Sequence, residues 1–357
     1  MRRRVAILMG TAAAILLAAT PARADIEARE VAGGLDQPVA FTFGPDGRLW
    51  YVEKATGDVR IVDLDTDEDV LFVTVGNVTA DGERGMLGIA LHPDYPDEPF
   101  VYVYATRRMG GEDQNQILRF QDQNGSGTDQ TVLFSSPAGG GVYHNGGRIA
   151  FGPDGMLYAA FGDDHNGSNS QDTSNNDRGK IIRIDPNGNV PSNNPFDNRI
   201  WAYGIRNSFG FAFDPETEAL WETENGPECN DEVNKIRRGG NFGWGASATC
   251  GGASPGNTNR DGPDPIRPKL VYESTIGITG IAFCEGCGLG GGSNGAAFIG
   301  AVNDGRVERL ILNNKRTDIR RRKIVYDHPQ GTLSFEVGPN GRIFFSDFGA
   351  IYKLVRT

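Results

Sequence analysis

One phrase recurs six times along this chain and limits what it can fold into. It is an apolar strand, a turn built on Pro or Gly, and a second apolar strand. The first copy is Val39–Val52, turning on Pro45-Asp46-Gly47. The second runs from Gly88 through Pro93 to Tyr104, and the third from Gly147 through Pro153-Asp154-Gly155 to Tyr158. The fourth runs from Gly210 through Pro215 to Trp221. A degenerate fifth joins Thr279–Phe283 to Ala296–Ile299, and the sixth runs from Leu333 through Pro339-Asn340-Gly341 to Phe345. The last apolar residue before each turn is Phe43, Leu91, Phe151, Phe213, Phe283 and Val337, spaced by 48, 60, 62, 70 and 54 residues.

A period near 50 with strand–turn–strand units is the signature of a β-propeller. Pro presets φ in these turns and Gly accepts φ > 0, so each copy carries its own hairpin signal. No window after the first segment sustains a helical period. The expected fold is all-β, a six-bladed β-propeller of about four strands per blade, occupying residues 25–357 as one domain. The competing arrangement is two β-sandwich domains, but no linker-like stretch divides the repeats.

Residues 1–24 stand apart. Arg2, Arg3 and Arg4 precede an apolar run from Val5 to Ala19, and Ala22-Arg23-Ala24 fits a small-x-small cleavage site. This reads as a signal peptide cut after Ala24. The run is shorter than the ~20 residues of a membrane span. The mature protein is therefore expected to be exported, periplasmic or extracellular, with no stable membrane insertion. Losing four arginines takes the formal charge from −11 to −15. That acidity argues against nucleic acid as a partner. An oxidising compartment favours disulfides, and the local pairing Cys229–Cys250 with Cys284–Cys287 closes the smallest loops. The C-x-x-C spacing of the second pair also fits a redox or half-zinc motif, without a second such motif or a nearby His to complete a metal site.

Loops at one face of a propeller converge on its channel, and long ones carry function. The longest irregular stretches are Gly162–Arg178 and Thr223–Arg267. His144 sits between Tyr143 and Asn145-Gly146-Gly147, where it can approach a ligand and act as a base; a turn histidine bonded to a nearby carbonyl is the alternative. Gly162–Asp172 is dense in oxygen ligands but lacks EF-hand spacing. Gly226-Pro227, followed by Asp231 and Glu232, offers hard oxygen donors that suit Ca²⁺. Arg206-Asn207 ends a strand read over Arg199–Ile205, where an Arg facing the channel can hold an anion. No Walker motif, G-x-S-x-G or Rossmann glycine fingerprint is present, which disfavours nucleotide enzymes and α/β-hydrolases.

An ordered motif set resembles the soluble aldose sugar dehydrogenases that use pyrroloquinoline quinone, the glucose/sorbosone dehydrogenase family. The set is Glu83–Asp94, His144–Arg148 with Gly162-Asp163, Gly179–Asp185, Tyr203–Asn207, Glu224–Asn234 and Gly240–Trp244. The resemblance implies a six-bladed propeller with a sugar substrate, an external electron acceptor, pyrroloquinoline quinone (PQQ) and Ca²⁺. It implies His144 as general base, Asp163 as its orienting partner and Arg206 at the quinone with Asn207 beside it. Glu83 stands at a polar cofactor contact. Gly226 and Pro227 would give carbonyls to one Ca²⁺, and Glu232 with the Phe242 carbonyl would hold a second. Three basic residues that the family sets against the quinone's carboxylates are replaced here by Asn303, Gly331 and Leu333. A propeller that keeps calcium and binds carbohydrate or protein without redox chemistry is therefore the alternative.

Overall fold

The computed structural model describes residues 26–250 and 258–357; the expected signal peptide and its cleavage site lie outside the described residues. Six four-stranded antiparallel sheets follow one another. The N-terminal strand β1 (Ile26–Gly33) is set aside for the last blade. Blade one is β2 (Ala40–Phe43), β3 (Leu49–Val52), β4 (Asp58–Asp63) and β5 (Glu68–Thr74). Blade two is β6 (Met86–Leu91), β7 (Phe100–Met109), β8 (Glu112–Asp122) and β9 (Gly127–Pro137). Blade three is β10 (Ile149–Phe151), β11 (Leu157–Phe161), β12 (Lys180–Ile184) and β13 (Ile200–Tyr203). Blade four is β14 (Ser208–Phe213), β15 (Leu220–Glu224), β16 (Asp231–Lys235) and β17 (Leu270–Tyr272). Blade five is β18 (Ile278–Phe283), β19 (Ala297–Ala301), β20 (Arg306–Leu312) and β21 (Ile319–Asp327). Blade six is β22 (Ser334–Val337), β23 (Ile343–Ser346) and β24 (Ala350–Arg356), completed by β1, which pairs Ile26 with Arg356.

The core is six apolar seams, one at each blade boundary. Trp50 and Ile61 of blade one meet Ile89 and Val103 of blade two. Tyr104 packs with Ile149 and Phe161, then Ile181 with Phe211. Trp221 packs with Ile281, and Phe298 with Phe335 and Phe345. Phe41 and Tyr51 meet Phe344 and Ile351, which closes the ring. Burying one such side chain contributes about 1.5–3 kcal/mol. Each blade thus has two covered faces, and its strands need not alternate apolar with polar. Both expected disulfides are formed, with Cα–Cα distances of 5.8 Å for Cys229–Cys250 and 5.2 Å for Cys284–Cys287.

Three local readings are corrected. The strand expected to reach Arg206 stops at Tyr203, because Gly204 turns with φ 75°. Thr223–Arg267 is not one irregular stretch, since Thr223 and Glu224 end β15 and Asp231–Lys235 is β16. Gly162–Arg178 contains a one-turn helix, α1 (Gly167–Gln171), capped by the Asn166 side chain. No helix among the described residues is long and apolar enough to cross a membrane.

Candidate active site

The loops entering β4, β6, β10, β12, β14, β16, β18, β20, β22 and β24 open on one face around a cavity of 550 Å³. Glu83, His144, Arg206, Asn207, Gly226 and Pro227 all line it. Residues up to 144 positions apart in sequence are brought together because every blade contributes its loops to the same end of the channel.

His144 is held in the left-handed region at φ 62°. Gly162 must lack a side chain, because a Cβ there would strike the His144 carbonyl. The His144 N–H donates to Glu83 Oε2 at 2.6 Å, and the same oxygen accepts Asn207 Nδ2 at 3.0 Å. Asn207 Oδ1 in turn accepts the Gly146 N–H. Glu83 and Asn207, expected as cofactor contacts, therefore also frame the histidine loop.

Asp163 stands behind the histidine, 1% exposed. Its Oδ1 lies 2.6 Å from His144 Nδ1 and accepts the His165 N–H at 3.0 Å, while Oδ2 accepts Trp244 Nε1 at 2.7 Å. The two fixed N–H donors, from His165 and Trp244, match an ionised carboxylate, which only accepts. Such a carboxylate facing His144 Nδ1 selects the tautomer with the proton on that nitrogen. His165, absent from the sequence-based site, lies flat on His144, with ring centroids 4.1 Å apart and planes 6° from parallel. Burial, then the neighbouring His144, holds the His165 pKa below its usual value.

Arg206 donates to the Asn225 carbonyl at 2.8 Å and lies 5.4 Å from the Trp244 ring centroid. Its Nε is buried with no hydrogen-bond partner among the described residues.

Asp231, expected as an oxygen ligand, is already spent. It accepts the backbone N–H groups of Gly226, Ile276, Gly277 and Ile278. It thereby fixes the Gly226-Pro227 bend. In Gly162–Asp172, Asp164 pairs with Arg178 and Asp172 caps Ser174.

Glu232 and Phe242 do not line the cavity. Both are buried, and Phe242 donates its N–H to the Tyr203 carbonyl. Glu232 shares one face of blade four with Glu222, Glu224 and Asn234, because Glu224 pairs with Glu232 and Glu222 with Asn234 in register. Asn234 Nδ2 lies 3.0, 3.5 and 3.4 Å from oxygens of Glu222, Glu224 and Glu232. Burial is the leading cause that raises all three carboxyls, Glu222 to about 7, Glu232 to about 8 and Glu224 well above its usual value. Glu222 Oε2 and Asn234 Oδ1 are buried without a hydrogen-bond partner among the described residues. This donor set has the oxygen chemistry of a Ca²⁺ ligand shell. No group of three His, Cys, Asp or Glu among the described residues is already spaced as a metal cage.

The wall from blades five and six is uncharged. Asn303 and Leu333 line the cavity, and a Cβ at Gly331 would strike the Val302 carbonyl. A long basic side chain does not fit at position 331 without a backbone shift.

The glucose/sorbosone dehydrogenase family profile matches residues 35–355. Aldose sugar dehydrogenase YliI of Escherichia coli K12 is 28% identical, over 91% of this chain and 90% of its own length. Quinoprotein glucose dehydrogenase B of Acinetobacter calcoaceticus is 29% identical, over 62% of this chain and 52% of its own. The PQQ-bound structure of an aldose sugar dehydrogenase from Streptomyces coelicolor superposes with a TM-score of 0.80 at 28% identity, covering 95% of this chain and all of that one. With the profile spanning nearly the whole propeller, this chain belongs to the glucose/sorbosone dehydrogenase family.

Proposed function

We propose that this protein oxidises the C1 hydroxyl of an aldose to a lactone, with PQQ as the hydride acceptor and Ca²⁺ beside it. The observation that carries the reading is His144, with Asp163 at Nδ1, opening Nε2 onto a cavity that Arg206 also lines. His144 Nε2 takes the C1 hydroxyl proton. Asp163 holds the ring and offsets the charge that the proton brings. Arg206 lines the cavity, where its guanidinium offsets charge on an oxygen that becomes negative. A bound quinone would supply the hydride acceptor, so that the C1 hydride together with the hydroxyl proton taken by His144, two electrons and two protons in all, would leave the substrate as the lactone.

Two features support calcium. Gly226 and Pro227 line the cavity on a bend fixed by Asp231. Glu232 lies in a buried oxygen cluster in which Glu222 Oε2 and Asn234 Oδ1 have no hydrogen-bond partner among the described residues. An exported protein belongs to the same proposal, and its two disulfides support it.

The test is to add PQQ and Ca²⁺ to purified protein and follow dye reduction across a panel of aldoses. Reduction by at least one aldose is expected. Bound quinone with no reduction by any aldose would refute the dehydrogenase reading. The uncharged wall at Asn303 and Leu333 favours a second reading, a carbohydrate-binding propeller without redox chemistry. Calorimetry showing sugar binding but no PQQ uptake in excess calcium would support it.

A further inference from the structure

The cavity's positive charge is distributed unevenly around the ring. Its basic lining residues are Lys54, Arg148 and Arg206. Arg148 is 4% exposed and committed to Glu336, Ser334 and the Phe335 carbonyl. Arg206 stands on blade four, among the oxygen donors of Asn225 to Pro227. Blades five and six contribute Thr275, Thr279, Val302, Asn303, Leu333 and Phe348, none of them charged. Among the described residues, Lys54 is left as the one Lys or Arg of the lining without an acidic side chain bonded to it and away from blade four. It follows β3 in blade one, the next blade round the ring from blade six.

Lys54 is built into that place. Its N–H donates to the Gln37 carbonyl, whose residue donates onward to the Phe348 carbonyl of the uncharged wall. The Lys54 carbonyl accepts the Met86 N–H. Gly85 packs so tightly on it that a Cβ would strike the Lys54 carbonyl and Cγ. Nζ donates to the Ala80 carbonyl at 2.7 Å. An ammonium has three donors, so two remain for a ligand. Burial is the leading cause that lowers the Lys54 pKa, and Asp81, Glu83 and Asp36 oppose it.

We propose that Lys54 binds a carboxylate of the quinone, the anion-holding charge having moved round the ring from positions 303, 331 and 333 to blade one. This rests on the PQQ reading above. It gives the cavity two cationic poles, Arg206 on blade four and Lys54 on blade one.

The test is PQQ titration of the protein in excess Ca²⁺, followed by fluorescence quenching. Lys54→Gln should raise Kd roughly 10- to 100-fold, the loss of one charge-assisted bond. Lys54→Arg should stay within a few-fold of the parent. Lys54→Gln combined with Asn303→Lys should recover most of the loss by restoring charge on blade five. An unchanged Kd for a folded Lys54→Gln protein overturns the proposal and leaves the dehydrogenase reading standing. No PQQ uptake by the unsubstituted protein overturns both. A measurement without substitution covers a variant that fails to fold: saturating PQQ should slow acylation of Lys54 by an amine-reactive reagent, read by peptide mass spectrometry. Labelling of Lys54 at the same rate with and without PQQ contradicts the proposal.

Discussion

Arg148 and Glu336 meet across the central channel, Nη1 to Oε1 at 2.9 Å, and join blade three to blade six. Arg148 lines the upper cavity, while Glu336 lines a second pocket with His92 and Tyr95. The pair forms a floor between the two. Burial raises the Glu336 pKa and Arg148 opposes that rise. Arg148→Met should therefore destabilise the fold by roughly 2 kcal/mol, the scale of a lost charged hydrogen bond. Thermal melts of Arg148→Met, Glu336→Leu and the double variant give the coupling, and additive losses would argue against a joined floor.

Removing the proposed base should leave structure intact and stop turnover. His144→Ala is expected to lower kcat by roughly 10²–10⁴-fold with an unchanged far-ultraviolet spectrum. Asp163→Asn should also lower kcat, because an amide cannot accept from all three N–H donors that now converge on the carboxylate. Wild-type kcat in either folded variant would remove the residue from the chemistry.

Stability should rise with pH through Lys180. Its side chain is fully buried, and burial pushes its pKa down to about 7. The unfolded chain binds the proton up to about pH 10.4, so between those values the unfolded state holds more protons and each added pH unit favours folding. A neutral amine still has two N–H groups for the Asn169 and Arg178 carbonyls it contacts. The raised carboxyls of Glu222 and Glu232 give the opposite slope up to about pH 8, so the contribution of Lys180 is read as a difference: the urea stability of the parent should gain on that of Lys180→Met as pH rises from 6 to 9.

Chelation should lower the melting temperature even without quinone. A ligand present at 1,000 times its Kd stabilises the folded state by about 4 kcal/mol. Glu222→Gln, which removes one of the three clustered carboxylates, should shrink the difference between calcium and EGTA melts. Superimposable melts with and without EGTA in the parent protein would count against calcium at Glu232.

The blades were legible because each hairpin carries its own turn chemistry, as at Pro45-Asp46-Gly47, independent of the rest of the ring. The cavity was legible as a set of motifs, because loops at one end of a propeller share a destination. What was not legible came from neighbouring blades. Glu222 and Glu224 alternate with Trp221 and Thr223, a pattern that ordinarily faces acids to water. Here blade three covers that face, so the acids are buried together. Lys54 and His165 gave no signal, since a loop lysine or histidine is ordinary until other loops arrive around it. Arg206 was placed on a strand because Tyr203-Gly204-Ile205 reads as a continuation, whereas Gly204 turns the chain out of the sheet.

The pairing of Ile26 with Arg356 also orders events in time. Blade six lacks its fourth strand until the two ends of the propeller meet, so the seam between Phe41 and Ile351 is assembled last on a growing chain. Such a distant contact is slow to form, because the loop that it closes is nearly the whole molecule. Without β1 in place, β2 to β24 would form an open arc with an apolar face at each end. The moment of vulnerability for this protein is therefore late in its maturation, and any factor that holds its first strand delays completion of the whole ring.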